Sequence, residues 1–483
     1  MTITIVGLGP GDAQQITREA WSVLAMADEV YLRTEHHPTV KGLPDHLSLH
    51  SFDHVYDQAQ SFDEVYHNIA AEVVRLGQRP QGVVYAVPGH PLVGESTVTR
   101  ILKLAEQAGL AVRIINSVSF ITPILVSLGM DALNGLQMAD AVDIAAQYHP
   151  PLNPDVPAII GQLYDRQVAS EVKLTLMNQY PDDHPVKLMH AVGTDQERVE
   201  TLPLYELDRR DDVSHLTALY VPPLARPGAF ETFQDTIAHL RAPDGCPWDR
   251  EQTHQSLRRN LLEEAYEVLA ALDAEDADAL REELGDLLLQ IVLHSQIAVE
   301  EGEFSMSDVI ASIDAKIKRR HPHVFGDVQV SGVGDVVANW ETIKKGERAE
   351  NGNGHKSALD GVPRDLPALA QAEAYSERAS RVGFDWPSVD GILDKVAEEA
   401  REIRAANSPE ERTEEFGDLL FALVNTARWM KIDPEAALRA ANEKFVARFR
   451  DVEALARAQS RDLKGMSLAD LDELWELAKQ SGR

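Results

Sequence analysis

The chain has 483 residues, 44% of them apolar, and a formal net charge of −32. That length is too great for one core and leaves room for two to four globular domains. A field of that sign repels a phosphate backbone, which argues against a nucleic-acid partner, and an enzyme acting on nucleotides would need metal ions at its site.

The chain opens MTITIVGLGPGD, with no basic leader and no long apolar run. It reads as a strand and not a signal peptide. No window approaches eighteen consecutive apolar residues, so no membrane span is expected. Cys246 is the single cysteine, which precludes an intrachain disulfide and fits a reducing, cytoplasmic setting.

Up to about residue 222 short β-rich runs alternate with helical stretches, the pattern of an α/β fold. Strands are predicted at Thr2–Val6, Val83–Val87, Val112–Asn116, Ala158–Leu163, Val186–Val192 and Ala218–Val221. The first runs into Gly7-Leu8-Gly9-Pro10-Gly11-Asp12, the second into Pro88-Gly89-His90-Pro91, and the third into Asn116-Ser117-Val118-Ser119-Phe120. Strand ends built from small residues let a backbone approach a ligand, although ordinary βα turns share that composition. The first loop is neither a dinucleotide fingerprint, because Pro10 and Asp12 stand in the wrong places, nor a P-loop, because no Gly-Lys-Ser/Thr follows.

GLGPGD, VPGHPLVGEST and NSVSF, in that order, resemble the S-adenosylmethionine-binding loops of tetrapyrrole methylases over about residues 1–222. The resemblance implies two α/β lobes with the cofactor in the cleft between them. It implies cofactor contacts at Gly9, Pro10, Gly89, His90, Pro91, Ser117 and Ser119. One departure is His90, where methylases commonly carry Asp.

From Phe230 onward the pattern is helical and rich in Ala, Leu and Glu. The polar, Gly-rich stretch Asn351–His355 divides this region into two pieces of similar size and reads as a linker. Each piece carries the same four features in the same order. They are LLEEAYEV against KVAEEAREI, REELGDLLLQ against TEEFGDLLFALV, a Lys–Arg pair four apart, and a Trp–Lys pair four apart. Such recurrence points to duplication of one helical unit.

Residues three apart share a helix face, so Glu264 with Glu267, and Glu283 with Asp286, each present two carboxylates to one side. Glu399, Glu402, Glu415 and Asp418 repeat the arrangement. Two such helices packed antiparallel would gather four acids, which cannot all ionise without a cation. Mg²⁺ suits hard oxygen donors and accompanies phosphates. Isolated acidic pairs are commonly solvated faces, but leucines flank these ones, so they are expected beside the buried stripe. Gly285 and Gly417, costly in a helix, suggest close approach of another backbone or a ligand. Lys316 with Arg320, and Lys444 with Arg448, would hold phosphates, and Trp340 or Trp475 would pack against a base or sugar.

CPWDREQTH, EELGDLLLQIV, RRHPHVFGD, NWETIK, VGFDW, GDLLFALVNTARW and ANEKFVARFR resemble segments of MazG proteins. These are tandem-repeat, all-α nucleoside triphosphate pyrophosphohydrolases, and the resemblance covers about residues 228–480. It implies Mg²⁺-dependent cleavage between the α- and β-phosphates, and homodimers built from helical bundles. Carried over, the metal ligands are Glu399, Glu402, Glu415 and Asp418, matched by Glu264, Glu267, Glu283 and Asp286. Substrate contacts fall to Lys444, Arg448, Trp475 and Lys479, matched by Lys316, Arg320, Trp340 and Lys344. Glu263 and Glu398 would orient water.

The expected organisation is therefore a methylase-like α/β domain over 1–222, a first all-α repeat over 228–350, a linker over 351–364 and a second all-α repeat over 365–483. The expected activity is removal of nucleoside triphosphates, including non-standard ones. Two other readings are a methyltransferase whose helical half mainly dimerises, and a non-catalytic nucleotide sensor. Complete acidic and basic sets in both repeats favour hydrolysis over sensing.

Overall fold

The computed structural model describes residues 1–59, 61–350, 357–364 and 366–480. The chain forms two compact units, Met1–Glu251 and Gln252–Arg483. Part of the expected linker, 351–356, lies outside the described residues.

The first unit holds two five-stranded sheets. Strands β1 (Thr2–Gly7), β2 (Glu29–Leu32), β3 (Ser48–Ser51), β4 (Val83–Val87) and β5 (Ala111–Ile115) pair in parallel in the order β3-β2-β4-β1-β5. A parallel sheet needs helices on both faces, which is why β1 reads as a nearly continuous apolar run. Ile3 and Ile5 pack with Ile69, Val73 and Ile101 on one face. Val6 packs with Ala20 and Leu24 on the other. The second sheet contains β6 (Gln137–Asp140), β7 (Ala158–Gly161), β8 (Pro185–His190), β9 (Arg198–Pro203) and β10 (Thr217–Val221). Its order is β6-β7-β10-β8-β9, parallel only between β6 and β7.

All six strands expected from the sequence are present. The sequence reading missed β2, β3, β6 and β9. Three of these lie at sheet edges, where one flank is solvated and no long apolar run is required. The fourth, β2, is four residues long. The helix Phe230–Arg241 is tied to the first unit by Asp155, whose carboxylate accepts from Gly228 N, Ala229 N and Thr232 Oγ1.

The second unit is helical throughout its regular elements. Its first repeat supplies α1 (Arg258–Asp273), α2 (Ala277–Glu301), α3 (Met306–Arg320) and α4 (Val333–Glu350). The second supplies α5 (Ala368–Arg381), α6 (Val389–Ala405), α7 (Pro409–Trp429), α8 (Pro434–Ala458) and α9 (Leu468–Gln480). Local chemistry sets several ends. Asp276 caps α2 by accepting from two backbone N–H groups, and Gly302 closes it in the left-handed conformation. A reciprocal Ser305–Asp308 capping box opens α3. Pro follows the capping Ser408 and Asp433 at the starts of α7 and α8. Among the described residues, no helix is long and apolar enough to cross a membrane.

Two expectations fail here. Several apolar residues beside the acids are not buried within the chain: Leu284 is 49% exposed, Leu288 36%, Phe416 53% and Leu420 41%, while Leu287 and Leu419 are half-buried. Their spacing puts them on one long face of α2 and one of α7, and among the described residues nothing covers those faces. Nor does another backbone approach Gly285 or Gly417, since a methyl group added at either would meet nothing within 4 Å.

Candidate functional site

Each repeat of the helical unit builds a carboxylate cluster on a hairpin. In the first, α1 packs on α2 and brings oxygens of Glu264, Glu267 and Glu283 within 4.8 Å of one another. In the second, α6 packs on α7 and does the same for Glu399, Glu402 and Glu415. Asp286 and Asp418 stand close enough to act electrostatically on their clusters. Burial, reinforced by the Glu267 and Asp286 carboxylates, holds Glu264 and Glu283 above the usual carboxylate range. Burial followed by Glu402 and Glu399 does the same for Glu415.

Glu399 is only 3% exposed, and its Oε2 is buried without a hydrogen-bond partner. An orphaned carboxylate oxygen among further acids is the donor set a hard divalent cation requires, so these residues fit Mg²⁺. Sequence reasoning missed Lys395. Its Nζ lies 2.7 Å from Glu399 Oε1 and 2.9 Å from Glu398 Oε1. Four residues before Glu264, the first repeat has Asn260 in its place. A lysine one turn ahead of an EE pair is visible in the sequence, but so are many i,i+4 pairs. Glu263 is exposed, as is Glu398 apart from its bond to Lys395.

The cations lie on the neighbouring helices. Arg320 sits over the Trp340 ring at 5.5 Å and Lys344 over the same ring at 4.5 Å, so three of the four expected first-repeat contacts are together. Arg320 is also held by Glu347, Nη2 to Oε2 at 2.7 Å, an ion pair the sequence did not suggest. Arg320 and then Arg319 hold the Glu347 carboxyl down to about 2. Lys316 is exposed. In the second repeat Trp475 is half-buried against Phe445, ring centroids 5.4 Å apart. Lys479 bonds Glu476, Lys444 is exposed, and Arg448 Nε is buried without a partner.

In the first unit the strand-end loops converge. Gly9 and Gly89 exchange backbone hydrogen bonds at 3.3 and 2.9 Å, both with positive φ (77° and 63°). A methyl group on Gly7 would stand 2.5 Å from Ser117 Cβ and 2.6 Å from Gly89 O, so only glycine lets the three loops meet. Ser117 Oγ is buried and has no partner. Ser119 Oγ accepts from Ile121 N, and His90 Nδ1 accepts from Leu92 N; both shape their own turns.

A cavity of about 510 Å³ lies between the two sheets, at the carboxyl ends of the β1 and β4 strands. Of the seven expected contacts, Pro10 and Gly89 line it. Its wall includes Tyr56, Tyr66 and Tyr164, and an Arg33–Glu95 ion pair at 3.4 Å that the sequence did not reveal. Glu95 is almost fully buried and also accepts from Thr97 N and Oγ1. Two non-glycine residues at positive φ, Gln162 (62°) and Ala191 (44°), line the same space, which is where backbone strain tends to collect.

The profile of the tetrapyrrole (corrin/porphyrin) methylases matches residues 2–208, and that of the MazG nucleotide pyrophosphohydrolase domain matches residues 252–325. The nucleoside triphosphate pyrophosphohydrolase MazG of Thermotoga maritima is 45% identical over 250 residues, covering 52% of this chain and 95% of that protein. The chain belongs to the MazG family. Its N-terminal half is a tetrapyrrole methylase domain, so the protein joins the two.

The same combination extends to Bacillus subtilis YabN, named an uncharacterized protein, which is 44% identical across 100% of this chain and 99% of its own length. The nucleoside triphosphate pyrophosphohydrolase of Escherichia coli K12 is 46% identical to the MazG half, covering 50% of this chain and 94% of its own. Among solved structures, a uroporphyrin-III-C-methyltransferase from Thermus thermophilus aligns at 19% identity with a TM-score of 0.36, covering 46% of this chain and 91% of its own.

Proposed function

We propose that the MazG half hydrolyses nucleoside triphosphates, non-standard ones included, to the monophosphate and pyrophosphate with Mg²⁺. The observation that carries this reading is the pair of carboxylate clusters, one per repeat, with the orphaned Glu399 oxygen inside the second. Glu399, Glu402, Glu415 and Asp418 would hold the ion in the second repeat, and Glu264, Glu267, Glu283 and Asp286 in the first. Mg²⁺ supplies charge neutralisation of the phosphate oxygens and a more acidic water.

The chain's own groups do the rest. Lys444, Arg448 and Lys479 bind phosphate oxygens and stabilise charge on the departing pyrophosphate; Lys316, Arg320 and Lys344 are their counterparts. Trp475 and Trp340 offer a face to the base or sugar. Glu398 or Glu263 accepts the proton as a water oxygen attacks the α-phosphorus and the bond to the bridging oxygen breaks. The proposed domain limits are 1–222, 228–350 and 365–483, joined across 351–364. The uncovered apolar faces of α2 and α7 support a homodimer, in which a second copy would bury them. The N-terminal domain is proposed to bind S-adenosylmethionine, on the strength of the three convergent loops, the unpartnered Ser117 hydroxyl and the adjoining cavity.

The test is pyrophosphate release from a panel of triphosphates, with and without Mg²⁺, by Asp286→Asn, Asp418→Asn and the double variant. Each change removes one negative charge from a crowded cluster at constant size, so the apo fold should hold or gain slightly. Turnover and metal affinity should fall together. Loss in only one single variant identifies one working repeat. Near-normal turnover in both singles with loss in the double makes both repeats catalytic. A fully active double variant would sink the assignment.

A further inference from the structure

Away from both carboxylate clusters, the first repeat gathers a chemically different set of groups. His254 lies in the turn before α1, His294 on α2, Glu301 at the end of α2, and Glu303 just past the Gly302 cap. Eighteen residues separate Glu283 from Glu301 along one helix, about 27 Å at the α-helical rise. The two sets cannot share an ion.

The rings of His254 and His294 lie edge to edge, centroids 5.0 Å apart and planes 5° from parallel. Their Nδ1 atoms are 2.7 Å apart, so one proton lies between them and one ring donates to the other. With that proton on His254, its Nε2 presents a lone pair towards Glu301, whose Oε2 is 3.9 Å away. His254, Glu301 and Glu303 each offer a donor atom, all within 4.8 Å of one another. His294 Nε2 is buried without a partner. The second repeat lacks this set. Eight residues past Asp418 it carries Thr426, where the first carries His294 eight past Asp286, and the Thr426 hydroxyl donates to Ala422 O.

We propose that His254, Glu301 and Glu303 form a site for a divalent transition ion, Zn²⁺ before others, with His294 fixing the tautomer and orientation of His254. An imidazole nitrogen with two carboxylates suits Zn²⁺, whereas Mg²⁺ favours oxygen alone. A ligating histidine ordinarily donates its other ring N–H to a partner that holds it in place, and His294 Nδ1 is that partner. Zn–N and Zn–O bonds of about 2.0–2.2 Å need donors about 3.3 Å apart. Rotation of the half-exposed Glu301 side chain closes the remaining gap. The bound ion would pin the turn ahead of α1 to the far end of α2 and stabilise the repeat as any ligand selective for the folded state does.

The experiment uses the full chain stripped with a chelator, carrying Asp286→Asn and Asp418→Asn to weaken the carboxylate clusters. Zn²⁺ is titrated by calorimetry, and Co²⁺ is followed by its visible d–d absorption. The expected result is one Zn²⁺ per chain and a Co²⁺ spectrum of low coordination number. Glu301→Gln and His254→Gln should each weaken this site at least tenfold, and His294→Ala should weaken it by about ten- to a hundredfold. Glu301 is exposed, so its variant should keep the parent helix content by circular dichroism. Unchanged Zn²⁺ stoichiometry and affinity in both Glu301→Gln and His254→Gln would overturn the proposal, as would the absence of a Zn²⁺ site in the parent. Pyrophosphate release by Glu301→Gln in the otherwise native chain reads the carboxylate clusters separately and should be unaltered.

Discussion

His37 shows how a single buried group sets a pH dependence. It lines the cavity of the N-terminal unit, is 5% exposed, and its Nδ1 has no partner. Burial, with smaller contributions from His215 and Arg33, pushes its pKa down to about 4 from 6.5. The folded state therefore binds this proton less readily than the unfolded state. Its contribution is fully present above pH 6.5 and is lost as pH falls to 4, amounting to about 3 kcal/mol by linkage. His37→Asn should flatten the stability profile of this unit between pH 6.5 and 4 and leave the alkaline side alone. An identical acid slope in parent and variant, measured by denaturant titration, would show that the ring is solvated. The same residue marks a limit of the sequence reading. Nothing around His37 in the chain reveals burial, because the enclosing His215 and Arg33 are distant in sequence or belong to another element.

At the scale of elements, α2 and α7 matter most. Their acids were legible from the i, i+3 spacing, and the hairpins bring Glu283 to Glu264 and Glu267, and Glu415 to Glu399 and Glu402. The destination of their leucines was not. Periodicity shows that a face is apolar without showing whether the same chain covers it. Leu284, Leu288 and Ile291 on α2, and Phe416, Leu420 and Leu423 on α7, all remain at least 36% exposed. If a second copy covers α7, Leu420→Glu should cost each subunit about 2 kcal/mol of burial and weaken self-association more than tenfold. Sedimentation velocity should show dissociation with helix content retained. Unchanged mass in the variant would rule out α7 as the contact. The edge strands β3 and β9 failed for a related reason: Ser48–Ser51 is mostly exposed and carries almost no apolar signal.

Taken whole, the chain pairs two domains that its sequence kept legible for different reasons. The methylase half was readable at its glycine turns, because Gly7, Gly9 and Gly89 are positions where a side chain would collide or strain the backbone. Its cavity was not, since Arg33, Glu95 and Gln162 come from three separate segments. The MazG half was readable through duplication. What escaped there were the long-range partners, Glu347 on Arg320 and His294 on His254. S-adenosylhomocysteine should raise the melting temperature of the transition that includes Tyr85 and the first sheet. At a hundredfold excess over Kd the gain is about 2.7 kcal/mol. Absence of any shift at millimolar concentration, with calorimetry equally silent, would remove the cofactor from the N-terminal domain.

Lys395 makes the two carboxylate clusters unequal in a way that ionic strength should expose. The second cluster already carries an ammonium 2.7 Å from Glu399, so at the proposed site an arriving divalent ion would exchange with a resident positive charge. The first has the uncharged Asn260 at the matching position and would attract an ion with a fuller negative field. Screening shortens from about 30 Å at 0.01 M salt to about 8 Å at 0.15 M, and the more highly charged site feels that change more strongly. Divalent-ion affinity should thus fall more steeply with added salt at the first cluster, measured with Mn²⁺ in the Asp418→Asn background, than at the second, measured in Asp286→Asn. Converting Lys395 to Asn should bring the two slopes together. Parallel slopes before that change would mean the ammonium swings clear before the ion arrives. If the slopes differ and converge on that change, the duplicated unit would hold two metal sites of one composition, tuned apart by a single residue to different ranges of salt and free metal.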